Sequence, residues 1–180
     1  MSRLLVTSIP AKKNTMIMMA GIAFFAVLVI LDMIRLFTLG IFEPMGVTFD
    51  VVFLVVLFNR INAKYTCELK EGSLSFHKSS LWGTKGYEVS FRSIMGIYRY
   101  QPKLVEITKF RHTDRLHSAL DARDVWVLAY TVTSKKGKIE NCRIYFKPGD
   151  EFLDELHRVL PNKVTLNDEK VILADLQRAK

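Results

Sequence analysis

The chain has 180 residues, of which 49% are hydrophobic, and it carries a formal net charge of +8. This length provides one ordinary domain and some additional segments. Its two cysteines, Cys67 and Cys142, are too few for a disulfide framework or a cysteine-rich metal site. They are typical of free, buried thiols in a reducing compartment.

The first long apolar segment covers residues 14–31, which include no charged residue and no proline. A helix over these residues is about 27 Å long, close to the hydrocarbon thickness of a bilayer, about 30 Å. A core helix seldom keeps every face apolar for so long. We therefore predict a first transmembrane span at about 14–38. Its apolar region is too long for a cleaved signal peptide, so we expect an uncleaved anchor.

A second apolar run, interrupted by Asp50, lies between Pro44 and Ile61. It reaches spanning length only if the whole of 44–61 takes part, with its ends among the headgroups. We predict a second span here, so that 14–61 is a transmembrane hairpin. A re-entrant or interfacial segment is the alternative.

Charged residues inside the hairpin allow two interpretations. Asp32 and Arg35 are three residues apart, share a helix face, and lie where the first span leaves the hydrocarbon. One interpretation is a plain interfacial ion pair. The other is that Asp32, Arg35 and Asp50 dock helices of a partner membrane protein.

Basic residues flank both predicted spans, whereas the connecting loop contains Glu43. The flanking residues are Arg3, Lys12, Lys13, Arg60 and Lys64. Because Lys and Arg favour the cytoplasmic side, we predict a multi-pass protein of the cell membrane with both termini in the cytoplasm. Residues 1–13 would then form a cytoplasmic N-terminus.

After the hairpin the composition changes. Residues 59–180 contain 22 basic and 15 acidic side chains, a net charge of +7. Alternating apolar and polar residues predict a series of short strands, within 64–79 around a turn at Glu71 and Gly72, and at 86–91, 93–100, 125–133 and 139–147. The strand at 125–133 is apolar on both faces and should be the most buried.

Two details of these strands can be tested in the structure. In 93–100, strict alternation places Ile94, Gly96 and Tyr98 on one face and Ile97 on the other. In 139–147, alternation turns Cys142, Ile144 and Phe146 inward and turns Arg143, Tyr145 and Lys147 outward.

One amphipathic helix follows the strands, at 150–160. Acidic residues occupy its first turns, basic residues lie near its end, and Pro161 stops it. Its apolar stripe consists of Phe152, Leu153, Leu156, Val159 and Leu160. A helical C-terminal tail at 164–180 is also predicted.

Three stretches, "YTCELKEGSLSFHK", "SALDARDVWVLAY" and "FKPGDEFLDELHRVLP", resemble in order and spacing a known family. This family comprises small bacterial membrane proteins with a pleckstrin-homology-like domain of the YyaB-like type. One departure is Asp121, where the family has Ser after Leu. The resemblance implies an α+β fold with two amino-terminal transmembrane helices. A bent antiparallel PH-like sheet or barrel of seven strands would follow at 62–163, with a C-terminal capping helix.

Motifs that would indicate catalysis or metal binding are missing from the sequence. The four histidines lack metal-ligand spacing, and there is no glycine-rich phosphate loop, nucleophile elbow or HExxH motif. Asp121 and Asp124 flank Arg123, which indicates local ion pairing rather than acid–base chemistry. We predict a protein that is not an enzyme and has no cofactor and no metal.

A basic segment joins two of the strands and is the candidate binding patch, formed by Lys103, Lys109, Arg111 and Arg115. A tethered domain would bring such a patch close to anionic lipid headgroups. The interspersed Glu106 and Asp114 favour the alternative, an ordinary solvated loop. Without an aromatic platform among the basic residues, nucleic acid is not an expected partner.

The sequence thus predicts a membrane-anchored, cytoplasmic, non-enzymatic binding or scaffolding module that engages a protein partner or anionic lipid. The alternative is an accessory subunit of a membrane transport or secretion complex, docked through its transmembrane helices. The two hypotheses place the important residues in different parts of the chain: in the soluble domain for the first, and in the spans for the second.

Overall fold

The computed structural model describes residues 4–101, 110–134 and 137–165. Its elements are β1 Leu4–Thr7, α1 Lys12–Leu39, α2 Pro44–Asn62, β2 Lys64–Lys70, β3 Ser73–Ser80, β4 Gly83–Ser90, β5 Ile94–Arg99, β6 His112–Arg115, β7 Trp126–Thr133, β8 Ile139–Phe146, α3 Asp150–Val159 and β9 Val164–Thr165. The α+β class, the two long amino-terminal helices and the C-terminal helix are confirmed.

Helices α1 and α2 pack side by side along a regular seam. The half-buried residues of this seam recur every three or four positions: Met18, Ile22, Phe25, Val29, Asp32 and Leu36 on α1, and Val47, Asp50, Leu54, Leu57 and Ile61 on α2. This spacing is typical of paired helices. The rings of Phe25 and Phe53 stack across the seam with centroids 5.0 Å apart. Both helices are long and apolar enough to cross a membrane.

Within the described residues, nine strands form two sheets that pack face to face. The first sheet has the order β1-β2-β3-β4, and the second has the order β6-β8-β7-β5-β9. The rings of Phe76 and Phe146 meet between them, with centroids 5.4 Å apart. Helix α3 adds Phe152, Leu153 and Leu156 to the same core. The predicted apolar stripe of this helix is confirmed, because its side chains face the core. Their burial stabilises the fold.

The strands depart from the predicted bent antiparallel sheet or barrel. The described strands form no closed barrel, and both edge strands of the second sheet, β6 and β9, pair parallel to their neighbours. Three short strands, β1, β6 and β9, were not predicted. Each has only two to four residues, too few for a periodic pattern to be recognised.

The predicted faces of β5 are wrong for the residues that follow Ile94. Its pairing with β7 shifts between Ile94 and Gly96, and such a bulge changes the alternation by one residue. Ile94 and Ile97 therefore both join the core between the sheets, while Tyr98 lies on the opposite face.

A smaller apolar cluster covers the outer face of the second sheet. It contains Tyr98, Val127, Ala129 and Tyr145, all of which are buried. Strand β7 is therefore buried on both faces, as predicted. Tyr145, which alternation placed outward, is buried in this second cluster. Burial on both faces explains why alternation identifies the strand but not the exposure of each residue.

The two ends of the chain contribute strands where none was predicted. Residues 4–7, within the predicted N-terminal extension 1–13, form the edge strand β1 on β2. Val164 and Thr165 open the predicted helical tail 164–180 but pair with β5 as a strand. The rest of that tail lies outside the described residues.

Strands β1 and β2 connect the sheets to the helices. Strand β1 leads into α1 and α2 leads into β2, and Ser8 N donates to Tyr65 O at 2.8 Å between them. The helical pair therefore continues from two neighbouring strands of one sheet.

Candidate functional site

A buried carboxylate lies where the sheets meet the helices. The side chain of Asp121, only 2% exposed, accepts hydrogen bonds from Ile9 N at 3.1 Å and from Arg123 Nε at 3.0 and 3.1 Å. Burial alone raises the pKa of Asp121. The hydrogen bonds from Arg123 and Ile9 outweigh it, so its pKa lies below the usual value.

Two cations complete this group, which we call the stem cluster: Asp121, Arg123 and Lys147. Arg123 also donates to Thr7 O at 3.1 Å and to Pro148 O at 3.3 Å, and Lys147 donates to the backbone oxygen of Asp121. The predicted local pairing of Arg123 is confirmed for Asp121. Asp124 instead pairs with Arg99 at 2.7 Å. In the stem cluster, Asp121 is paired with Arg123 and Lys147 is held by backbone oxygens, which is typical of a structural role.

The stem cluster and its neighbours fix the start of α1. Leu120 O accepts hydrogen bonds from Ala11 N at 2.8 Å and from Asn14 Nδ2 at 3.1 Å. The position of the sheets relative to the helices is therefore set by specific hydrogen bonds rather than by a flexible linker.

Beside the stem cluster is a cleft of about 380 Å³, which we call the interfacial cleft. It opens between the ends of the two helices, the first sheet and the segment that follows β6. Its lining residues are Met18, Val56, Asn59, Arg60, Ala63, Tyr65, Lys78, Trp82, Arg115, His117, Ser118, Ala119 and Leu120. Among the described residues, no carboxylate lines this cleft.

Three cations reach the interfacial cleft from three different elements. Arg60 lies in the last turn of α2, Lys78 in β3 and Arg115 at the end of β6. None of them forms an ion pair with any described residue. Lys78 Nζ lies 5.7 Å from the centroid of the Tyr65 ring, and Lys78 stands directly opposite Lys85 on β4. Like charges in this register repel each other, so the described lining of the cleft is electropositive.

His117 adds a titratable group to the same lining. Burial lowers its pKa below the usual value, and the charges of Lys147 and Arg115 lower it further, against the hydrogen bond that His117 makes with Ser118 O. The ring is therefore neutral at pH 7 and becomes a fourth cation when the pH falls.

The lining of the interfacial cleft also includes apolar side chains of both helices. Met18 and Val56 come from the two helices, and Val56 precedes Arg60 by one turn, about 6 Å along the axis. The cleft thus places apolar side chains next to the helical seam and cations just beyond it. This arrangement matches an anionic amphiphile.

A larger cleft, about 630 Å³, lies on the other side of the stem cluster. It is lined by charges of both signs, Arg99, Arg123, Asp124, Asp150 and Asp154. Its two arginines are already paired, Arg99 with Asp124 and Arg123 with Asp121. A cleft whose cations are already neutralised is a weaker anion site than the interfacial cleft.

The structure brings only part of the predicted basic patch to the interfacial cleft. Arg115 lines it. Arg111, four residues earlier and about 13 Å away along extended chain, faces Glu140 at 3.8 Å. Lys103 and Lys109 lie outside the described residues. Sequence reasoning missed Lys78 and His117, and it used Arg60 only for topology, because long-range packing assembles these residues.

The charged residues of the helices lie at two depths. Asp32 Oδ1 is 3.9 Å from Arg35 Nη1, as the i, i+3 spacing predicted, and Asp32 Oδ2 is 4.0 Å from where a Cβ at Gly46 would lie. Asp32 therefore faces α2, whereas the Arg35 side chain is 66% exposed. Asp50 occupies the seam about 6 Å further along α2 than Gly46 and pairs with no described cation.

No family model matches the chain, and no curated protein or solved structure matches it either. The similarity to the pleckstrin-homology-like family stays a prediction, and the function has to be argued from the geometry of the site. Among the described residues, no three His, Cys, Asp or Glu side chains are grouped as metal ligands would be.

Proposed function

We propose that the chain is a membrane-anchored, non-enzymatic module whose interfacial cleft binds the headgroup of an anionic phospholipid. Helices α1 and α2 cross the bilayer, and the two sheets lie on its cytoplasmic side. The observation that supports this proposal is the convergence of Arg60, Lys78 and Arg115 at the ends of the helices, with no acidic partner among the described residues of the cleft.

The three basic side chains of the cleft account both for its affinity for lipid and for its preference for anionic headgroups. A basic side chain near an anionic bilayer surface contributes about 1 kcal/mol, so three contribute about 3 kcal/mol, or roughly 100-fold in affinity. The two arginines also offer planar, bidentate hydrogen bonds that suit a phosphate group. Because the helices hold the cleft at the headgroups, binding takes place at high effective concentration.

The similarity to a pleckstrin-homology-like domain fits this proposal as an open variant of that fold. Two packed sheets and a C-terminal helix that covers their core support it. Scaffolding would follow from the rigid stem, since a lipid held in the cleft contacts the helices and both sheets at once.

Binding can be tested on the full-length chain in detergent. We would titrate it with short-chain phosphatidylglycerol and, separately, with phosphatidylcholine of equal chain length, and follow complexes by native mass spectrometry. The triple variant R60Q/K78Q/R115Q should lose about 100-fold in affinity for the anionic lipid. The matched control is R92Q, because Arg92 is exposed and lies two residues beyond the far end of β4, roughly 20 Å from the cleft.

Two further titrations identify the ligand. Glycerol phosphate and inorganic phosphate carry the anion without acyl chains, and they should bind far more weakly, because the contacts with Met18 and Val56 are lost. Equal affinity for both lipids, or equal affinity of the triple variant and R92Q, would contradict the proposal.

Anchoring and topology are tested separately with reporters that are active only in the cytoplasm. Fusions to the N-terminus and to the C-terminus should both be active. A silent C-terminal fusion at normal expression would rule out the proposed topology.

A second candidate function, the accessory subunit, is favoured by Asp50. This carboxylate lies nine residues before Asn59, about 14 Å along α2 and thus near the midplane of the proposed span. An aspartate there costs about 2.5–3.5 kcal/mol in membrane insertion and marks a functional site by default. A partner helix with a basic residue at the same depth would neutralise it. Substitution D50N should then abolish co-purification of that partner, whereas D32N, near the outer boundary, should have less effect.

A further inference from the structure

The turn between β3 and β4 has an unusual composition. Ser80 pairs with Gly83, so Leu81 and Trp82 form a two-residue turn. Such turns favour Gly, Asn, Asp, Pro and Ser. Here only Gly83 has a positive φ, 119°, among these four residues. The backbone therefore requires glycine at one position and leaves the choice of Leu and Trp unexplained by turn geometry.

Both side chains are exposed to an unusual degree for their size. Leu81 is 55% exposed and Trp82 is 73% exposed. Single exposed apolar side chains are common on protein surfaces, but here two large ones are adjacent at the tip of a hairpin. In water, two adjacent exposed apolar side chains of this size would favour aggregation.

The position of the turn is fixed relative to α2. Leu81 N donates to Asn59 Oδ1 at 3.2 Å, and Asn59 lies in the last turn of that helix, next to Arg60. The turn therefore lies at the level where α2 would leave the hydrocarbon. Trp prefers this interfacial zone, where its apolar ring meets lipid and its N–H meets water.

We infer that the Leu81–Trp82 turn inserts into the headgroup region of the same leaflet that α2 enters, as a third attachment beside the two helices. The inference rests on the proposed membrane anchoring but not on the lipid specificity of the cleft. Lys78 and Lys85 stand on the strands just behind the turn, where their ammonium groups can meet lipid phosphates. Inserted in this way, Trp82 closes the membrane side of the interfacial cleft that it lines.

The chain has two tryptophans, which makes a direct test possible. The full-length variant W126F, whose sole tryptophan is Trp82, would be reconstituted in phosphatidylcholine–phosphatidylglycerol vesicles. Its emission should be shifted to the blue of exposed indole, and lipids brominated near the carbonyl should quench it more strongly than lipids brominated near the chain end. The control W82F retains Trp126, 7% exposed in the core, and brominated lipids should not quench it.

Should W126F fail to fold, the difference between wild type and W82F yields the same spectrum. One outcome would overturn the insertion but leave the anchoring intact: carbonate fails to extract the protein, and Trp82 nevertheless emits as it would in water. In that case acrylamide quenches the emission and brominated lipid does not. Extraction by carbonate would overturn the anchoring and the insertion together.

Discussion

The stem cluster and the interfacial cleft are neighbouring groups of charges with opposite properties. In the stem cluster, the buried Asp121 pairs with the half-buried Arg123, and the half-buried Lys147 donates to the backbone oxygen of Asp121. In the cleft, three cations and a histidine face the same space, and the part of the chain that the structure describes supplies no acidic partner there. Buried charges that satisfy one another specify a structure, whereas converging charges of one sign call for a ligand. The comparison therefore separates residues that hold the fold from residues that serve a function.

The largest expected effect belongs to the stem cluster. The substitution D121A leaves the half-buried Arg123 without its carboxylate and frees Ile9 N, which should lower the free energy of unfolding by about 3 kcal/mol. Unfolding in detergent, followed by fluorescence, measures it. The folded fraction should keep its preference for anionic lipid. A stable D121A protein that loses this preference would show that Asp121 belongs to the binding site.

The next effect concerns the edge strand that leads into the helices. A soluble fragment of 62–163 lacks β1, although Leu4 and Val6 pack against the core. A version that joins residues 4–9 to 63–163 through a short turn should be more stable by about 2–3 kcal/mol, from partial burial of two aliphatic side chains and their hydrogen bonds. Urea unfolding of the two fragments compares them. Equal stabilities would mean that β1 does not contribute to the stem.

In contrast to D121A, a substitution in the cleft should stabilise the lipid-free protein. The substitution K78Q removes the repulsion between Lys78 and Lys85, and without anionic lipid it should raise stability by about 0.2–1 kcal/mol. With anionic lipid present, the same variant should be less stabilised than wild type, because it binds the ligand more weakly. Thermal unfolding with and without phosphatidylglycerol checks both signs. Destabilisation of the lipid-free variant would place Lys78 among the structural charges.

The smallest effect is a dependence on pH through His117. Its pKa is lowered in the folded chain, so the unfolded chain binds the proton more readily. Stability should decrease as the pH falls from the unfolded pKa, about 6.5, through the folded one, and should level off below it. Anionic lipid should raise the pKa of His117 toward its usual value. An NMR titration of the ring follows the pKa directly, and H117N should lose the pH dependence of lipid affinity.

The sequence predicted the elements that have a long or strong pattern. The two amino-terminal helices follow from long apolar runs, and the doubly buried β7 follows from a continuous apolar run. Alternation identifies β2 to β5 and β8, and helical periodicity identifies the helix with Phe152 and Leu156. The bulge near Ile94 was missed because one inserted residue leaves no compositional signal. Strand β1 was missed because four residues pair only when β2 is already in place.

The candidate site was predictable only in part. Arg115 was identified from the local density of basic residues, a signal that also selected Arg111, which the structure places beside Glu140. Lys78 and His117 belong to separate stretches of the chain, and only the packing of sheet against helix brings them together. The sequence does not distinguish these two residues from other polar surface residues, because only the folded structure shows which acidic side chains lie near them.

The most direct test of the central claim is whether a lipid phosphate lies beside the arginines of the cleft. Solid-state NMR can measure the dipolar coupling between lipid phosphorus and the guanidinium nitrogens of the full-length chain in phosphatidylcholine–phosphatidylglycerol bilayers. Comparing wild type with R60Q, R115Q and R92Q assigns the signal. We predict a coupling that decreases in R60Q and R115Q and is unchanged in R92Q. A coupling that is absent, or equal in all three variants, would contradict the binding of an anionic headgroup in the interfacial cleft.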